Sequence, residues 1–423
     1  MKGKSTWAGL PVLFISIMAV LLLFLPGSSC RAAGKVIIKP LFTAQWRVDS
    51  NYFLAEDNER EAFTYLYQPG IDLGYRTDRT KLLFHYTLNA YYFEDRGGDL
   101  LPGQRSADDD DYIGHTLTFT GRHKATDRLL IGLDDSFYKT RDPAETDPLG
   151  NTVDQRKYYI NRLTPLIFYD LSPRWTVGLR YRNTILDYTE DDNEDAHEDR
   201  GIFNLMYNLS RTSSLDLEYQ RWKRYYDELT SDYTSDQINL IFRKTFKYAA
   251  LELGGGYHER DFDDPRYEKI ETVNWIASVL FQENPEELEE DEKEPKSYLR
   301  LTTERNFNDQ GTGDKYYTAT TFAVNAGRIF FEKIKTDLNG YYQISDYERT
   351  FGLNPAGVLE KRKDKTYHVS LDLGYIFTEW LTFSIAGGYK DRDSNLSGYD
   401  YVDKYFLVRL DFSLDLGRKG EGD

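Results

Sequence analysis

"YFLVRLDFSLDL", residues 405–416, is the stretch on which the fold turns. Phe406, Val408, Leu410, Phe412, Leu414 and Leu416 fall on one parity, and Leu407, Arg409, Asp411, Ser413 and Asp415 on the other. Successive side chains of a strand point to opposite faces, so this ribbon is apolar on one side and charged on the other. The reading that suits both sides puts the apolar parity against lipid and the polar parity in an aqueous lumen. The reverse would set Arg409 in hydrocarbon at about 2–4 kcal/mol near the midplane, with Asp411 and Asp415 costing somewhat less. A slip of one residue has the same consequence, which fixes the register. Backbone groups in lipid have no water to bond, so such a sheet must close on itself. The last strand is therefore expected to pair with the first, near Ile38 to Val48.

The same two-residue period recurs from residue 35 onward, as in "IKPLFTAQWRV" (38–48), "KLLFHYTLNAYY" (81–92), "RWTVGLRYRNTI" (174–185), "DQINLIFRKTF" (236–246) and "YHVSLDLGYIF" (367–377). Counting segments of ~10 residues, the length a tilted strand needs to cross a bilayer, gives about eighteen. The expected fold is all-β, an up-and-down antiparallel transmembrane barrel. Composition agrees: 34 Tyr and 24 Phe stand against 3 Met, and the mean hydropathy is -0.63. Those values exclude a bundle of membrane helices and suit pleated surfaces. The formal charge of -17 excludes free nucleic acid as a partner, since a phosphate backbone needs a basic footprint.

Residues 1–33 read as a signal peptide: Lys2 and Lys4, an apolar run from Val12 to Leu25, then the small residues of "GSSCRAA". The barrel is expected over 34–417, with a short periplasmic tail at 418–423. Cys30 is the sole cysteine. A lipid anchor there lacks its usual Leu, since Gly27 holds that place. The mature chain owes nothing to disulfides, although it is exported.

The connections alternate in kind. Short ones include "TDR" (77–79), "TDR" (126–128), "SPR" (172–174) and "TEW" (378–380). Long acidic ones include 94–111, 142–155, 190–199 and 261–269. One end of the sheet thus carries tight turns and the other large loops, as in outer-membrane barrels. "QENPEELEEDEKEPKS" (282–297) is long where a short turn is due. It reads as a solvated acidic loop, as a docking handle over 283–296 for a periplasmic export partner, or as a sign of a miscounted strand. Aromatic doublets crowd the loop-proximal ends, such as Tyr91–Tyr92, Tyr158–Tyr159, Tyr225–Tyr226 and Tyr341–Tyr342, and suit an interfacial girdle. Pro69 and Pro165 fall inside strand patterns and are expected to mark bulges. The 50–60 and 346–364 loops are candidates to fold into the lumen.

At "WRVDSNYFLAEDNEREAFTYLYQPGIDLGYRTDRTKLLFHYTLNAYYFED" (46–95) the chain resembles the outer-membrane β-barrel porin families of Gram-negative bacteria. The likeness rests on the corner Asp49, Ser50, Asn51 and Tyr52, on the Pro-containing strand, and on the short turn and Tyr-rich return strand; the "SPRW" turn repeats the style. It covers the mature chain loosely and extends to exopolysaccharide-associated and alginate-export-like barrels. The resemblance implies an outer-membrane location among lipid and lipopolysaccharide, and passage of a hydrophilic solute or polysaccharide. The end "GRKGEGD" departs from the common assembly signal, which closes on an aromatic residue.

No nucleophile, metal or phosphate motif survives inspection, so no enzyme and no cofactor is expected. "DNEDAHED" (192–199) and Asp108 to Asp111 lack the Gly and Glu spacing of a calcium loop. The remaining functional surface is the lumen. Inward parity gives Gln45, Arg47, Asp72, Lys81, His85, Arg180, Arg182, Arg243, Arg300, Glu304, Asp372, Arg409 and Asp411 as lumen-facing candidates, with Glu218, Asn239 and Asp337 beside them. Their signs are mixed, without a clear arginine excess, and many are expected to pair and stiffen the wall. The functional expectation is a porin-like channel for hydrophilic solutes, with polysaccharide export as the role the resemblance implies. The alternative is a non-conducting barrel that sheathes or docks a partner in a trans-envelope complex, such as an electron-transfer or exporter assembly.

Overall fold

The computed structural model describes residues 34–416 except 103, 142–155, 190–193, 228–229, 284–294 and 309–315. The signal segment, the 418–423 tail and most of the 283–296 connection lie outside the described residues. Eighteen strands follow one another: β1 (Lys35–Asp49), β2 (Ala62–Arg76), β3 (Thr80–Asp95), β4 (Tyr112–Lys124), β5 (Leu129–Thr140), β6 (Tyr158–Asp170), β7 (Trp175–Tyr188), β8 (Ala196–Ser210), β9 (Ser213–Tyr226), β10 (Tyr233–Phe246), β11 (Ala249–Phe262), β12 (Ile270–Gln282), β13 (Ser297–Asn308), β14 (Tyr317–Phe330), β15 (Ile334–Leu353), β16 (Leu359–Thr378), β17 (Leu381–Ser394) and β18 (Tyr401–Ser413). Each pairs antiparallel with its chain neighbours, and β1 pairs with both β2 and β18. The β1–β18 ladder runs from Leu41 opposite Ser413 to Asp49 opposite Tyr405. The sheet closes without a free edge, as hydrocarbon requires.

The opening stretch sits as its pattern dictates. Phe406 and Leu410 are about two-fifths exposed on the outer surface. Arg409, on the other parity, bonds Asp411 at 2.8 Å and Asp372 at 3.2 Å. The ends differ: 77–79, 125–128, 171–174, 211–212, 247–248, 331–333 and 379–380 are tight turns at one end, by convention periplasmic. The 283–296 connection joins β12 to β13 at that same end.

The aromatic doublets correct the girdle expectation. With a period of two, only one member of each doublet can face lipid. Tyr92 (50% exposed) and Tyr225 (38%) do so, while Tyr158 (2%) and Tyr226 (8%) turn inward and are buried. The outward tyrosines form the upper girdle, and several donate to carboxylates just beyond: Tyr65 to Glu94 at 3.1 Å, Tyr389 to Asp391 at 2.8 Å, and Tyr181 to Asp199. Tyr169, Trp175, Phe246, Phe281, Phe330 and Trp380 line the periplasmic side, exposed to lipid.

Three further expectations are corrected. Pro69 and Pro165 are not bulges. The β2–β3 ladder passes from Tyr67–Ala90 to Gly70–Thr87, and the β6–β7 ladder from Leu163–Asn183 to Leu166–Arg180, without a register shift. Within an antiparallel strand a residue bonds to one neighbour only, so each proline interrupts one ladder and spares the other. The acidic segment at 190–199 is not all loop, because β8 begins at Ala196. The 346–364 segment is not a loop folded into the lumen but the far half of a long β15–β16 hairpin.

The corner at Asp49 to Tyr52 closes the mouth. Asn51 is fully buried. Its Nδ2 donates to the carbonyls of Ala55 at 2.7 Å and Val402 at 3.1 Å, and its Oδ1 accepts from the Ala55 N–H at 3.0 Å. One side chain thus ties the first long connection to β18. Tyr52 then packs on Phe53 and Phe93, with Ala62 and Ala107 beneath.

Candidate functional site: the inner wall

Eighteen strands ~4.8 Å apart and tilted by ~40° enclose a cylinder about 35 Å across between backbones. What fills it is set by inward parity and differs with height. The extracellular third carries three aromatic–arginine clusters. The first joins Tyr158, Ile160, Leu186, Ala196, Trp222, Tyr226, Tyr233, Phe262 and Tyr316. Arg260 lies over the rings of Tyr233, Phe307 and Tyr316 at 4.2, 5.4 and 5.2 Å. The second surrounds Tyr52, whose hydroxyl donates to Asp110 (3.1 Å) and accepts from Arg141 (3.2 Å); Arg141 pairs with Asp110 at 2.8 Å. Burial pushes the Tyr52 phenol well above its ordinary value. The third packs Arg362 over Tyr347 (4.3 Å) and Tyr399 (3.8 Å), with Asp364 as its carboxylate. Each cation here is desolvated but matched to a carboxylate, to ring faces or to both.

Beneath these clusters and beside them, at several heights, the thirteen candidates occupy register positions on the same face. Gln45 lies opposite Arg409. Arg47 bonds Asp49 at 2.8 Å and covers the Tyr405 ring at 4.2 Å. Asp72 meets His85 at 2.6 Å, and Lys81 lies opposite Arg76. Arg180 pairs with Glu218 at 2.7 Å. Arg243 pairs with Glu252 at 2.7 Å and Asp216 at 3.2 Å. Asp372 and Asp411 share Arg409, and Thr43 donates to Asp411 at 2.8 Å. Asp337 accepts from Tyr298 at 3.0 Å, and Asn274 donates to Asn239 at 2.6 Å. Arg300 lies opposite Asn325, and Glu304 opposite Thr321. Among the described residues no hydrogen bond or ion pair reaches the side chains of Arg182, Arg300 or Glu304.

Pairing is uneven around the ring. On β6 to β9, Arg162, Arg182, Arg200 and Arg224 line one cavity of about 150 Å³ together with His197 and, as the one carboxylate among its described lining residues, Glu198. Arg182 lies directly opposite Arg200 across the β7–β8 ladder. Glu198 bonds Arg200 at 2.9 Å and lies 3.9 Å from Arg224, and Arg200 rests on the Trp222 ring at 3.9 Å. Like charges placed directly opposite are unfavourable in a sheet, so Arg182 and Arg200 are held together against their own preference. Nine strands away, on β16 and β18, Asp372, Arg409 and Asp411 are mutually satisfied. Sequence reading picked Arg180 and Arg182 but missed Arg162, Arg200 and Arg224. Arg200 directly follows the acidic run 190–199, whose composition hides the start of β8 at Ala196, and the arc shows only once three ladders are in register.

The fold and its two faces define the class: a closed 18-stranded transmembrane barrel of the Gram-negative outer membrane, with a lipid-facing apolar belt and a polar inner wall. No protein-family model and no curated protein matches the chain. Solved structures similar to it include Pseudomonas aeruginosa OpdK with vanillate, at 12% identity and TM-score 0.48, covering 90% of this chain and 99% of that one. Acinetobacter baumannii OccAB4 is 12% identical at TM-score 0.46, with 90% and 98% covered. OccD1 (OprD) is 10% identical at TM-score 0.44, with 90% and 96% covered. The likeness is one of barrel architecture.

Proposed function

We propose that this barrel is a passive channel for small hydrophilic solutes and that the arginine arc of β6 to β9 makes it prefer anions. The observation that carries the reading is Arg182, which lies directly opposite Arg200 and has no side-chain bond to a carboxylate among the described residues. A cleft of one sign with low-dielectric walls concentrates ions of the other sign. A carboxylate or phosphate passing there can take bidentate bonds from a guanidinium fork, and among the described residues Arg182 has no competing side-chain bond. The candidates on the opposite wall, Asp372, Arg409 and Asp411, bond one another and act as a stiff counterpart without positive surplus. Polysaccharide, the cargo implied by the family resemblance, is not singled out by the wall. The inward rings of Tyr91, Phe93 and Tyr112 stack on one another at interplanar angles of 7° to 11°, so their faces are turned to each other rather than to a sugar.

The test is conductance in planar bilayers under a salt gradient. Discrete steps with a reversal potential on the anion side are expected. Arg182→Glu with Arg200→Glu should move that potential to the cation side. A stably inserted barrel that never conducts favours the sheath or docking alternative and overturns the channel reading.

A further inference from the structure

We propose that the outer face of the β15–β16 hairpin is a two-fold interface through which two copies of this chain associate side by side. These two strands run to 20 residues each, against 12 to 16 for the others. Pairing of β14 with β15 ends at Tyr347, and pairing of β16 with β17 begins at Asp364. Residues 348–363 therefore form a two-stranded arm that rises past both neighbours. A lone two-stranded ribbon is marginal in water, so such an arm needs a packed face.

Its inner face has one. Leu396, 1% exposed, fills the space beside Gly352, where a Cβ would come within 2.9 Å of it. Ser397 N–H donates to the Leu353 carbonyl at 3.4 Å, and Asn395 bonds the backbone of Lys361 and Lys363 at 2.8 and 2.7 Å. Arg362 inserts between Tyr347 and Tyr399. The arm is thus held rigidly upright from within.

The outer face is bare. Phe351, Leu353 and Leu359 are 55%, 60% and 67% exposed, and the register puts all three on one side: Phe351 opposite Lys361, Leu353 opposite Leu359. Beneath them on the same side run two rows of opposite sign. Asp346 and Glu348 stand on β15, and Lys361 and Lys363 on β16, bridged at 3.5 Å (Lys361–Glu348) and 2.9 Å (Lys363–Asp346). This surface looks sideways from a position above the aromatic girdle. Lipid headgroups and their sugars there are polar and do not cover apolar side chains, whereas a laterally placed protein does.

The charge rows select a second copy as that protein. A two-fold axis along the membrane normal sets β16 of one copy opposite β15 of the other at equal height. Lys361 and Lys363 then meet the partner's Glu348 and Asp346, and the reciprocal contact forms with them. Phe351, Leu353 and Leu359 meet their counterparts above. The apolar triplet is small against the roughly 1,000 Å² of a stable interface, and the lipid-facing sides of β15 and β16 below it supply the remainder.

The experiment uses the full chain in native outer membranes with Cys30 replaced by serine. Leu359→Cys, close to the axis, should give an oxidised dimer of twice the mass. Leu101→Cys, 51% exposed on another loop, should not. Lys363→Glu should lower the dimer yield about tenfold, and adding Asp346→Lys should restore it. Heat-shifted gel mobility verifies that each variant is a folded barrel. Equal cross-linking at both cysteines, a Leu359→Cys chain that stays monomeric or captures a different protein, or a Lys363→Glu dimer that persists overturns the proposal. None of these readouts depends on conductance.

Discussion

Arginine is used in two ways in this barrel, and the contrast between the mouth pairs and the arc just beneath the first cluster separates structure from transport. At the mouth, Arg362 (4% exposed), Arg141 (6%) and Arg60 (6%) each face a carboxylate that is at least as buried: Asp364 (0%), Asp110 (2%) and Asp95 (5%). Just beneath the first mouth cluster, Arg182 lies opposite Arg200, and no carboxylate bonds it among the described residues. A buried matched pair holds shape because losing either partner strands the other charge. A partly hydrated surplus holds little shape but leaves a field for whatever passes. The same side chain therefore carries different roles according to the carboxylates around it.

The largest effect is expected from removing a mouth arginine. Arg362→Ala leaves Asp364 fully buried without its cation and strips a guanidinium from two rings. The loss should be about 3–5 kcal/mol, read as a lowered unfolding midpoint in detergent. A midpoint that does not move would erase the distinction between the two regions. Arg409→Ala is the intermediate case. Its partners Asp372 and Asp411 are paired but, like Arg409 itself, 22% to 35% exposed to the lumen. Solvent screening should hold the loss to about 1 kcal/mol.

Much of this contrast could not be read from the sequence. The barrel was legible, because lipid imposes the period of two on every strand and "YFLVRLDFSLDL" shows it without interruption. The closure of β18 on β1 followed from the same argument. Inward parity was also legible residue by residue, which is why Arg180, Arg182 and Arg409 could be singled out. What parity does not carry is the neighbour across the ladder. Arg182 stands 18 residues from Arg200 in sequence and 20 from Arg162, and only three registers together bring them to one cavity. The mouth clusters were hidden for a related reason: Tyr158 and Tyr226 belong to doublets whose other member faces lipid, and composition alone does not say which is which. The β15–β16 arm reads as a loop because the charges of Asp346, Glu348, Lys361 and Lys363 and the register shift between Asp346 and Phe351 interrupt the period-two apolar pattern that marks a membrane strand.

Acid sharpens the comparison at smaller amplitude. Asp95 lies beyond the girdle at the end of β3. Burial alone would raise its value, but the bonds from Arg60 and from the backbone N–H groups of Ala107 and Gly97 outweigh that and hold it at about 2. A folded value below the unfolded one contributes stability that is complete above the ordinary carboxylate range and is lost as pH falls through about 2. Protease susceptibility of the 50–61 and 96–111 connections should thus be unchanged from pH 8 down to about pH 4 and rise only in stronger acid. Opening near pH 5 would show that Asp95 is not the tie.

The smallest stability change belongs to the residue with the largest expected effect on passage. Arg182 is half-buried on β7 and faces Arg200 across the ladder, and no carboxylate bonds it among the described residues. Deleting it strands no partner and relieves a like-charge contact. Arg182→Ala should therefore leave the unfolding midpoint within about 0.5 kcal/mol of the parent. The same variant removes one of four positive charges from the arc, so the reversal potential in a salt gradient should shift toward zero. Measuring both on one preparation decides the matter. A stable variant with altered selectivity places the surplus in transport; a destabilised variant with unaltered selectivity makes Arg182 another mouth-type arginine and removes the basis for assigning the arc a separate role.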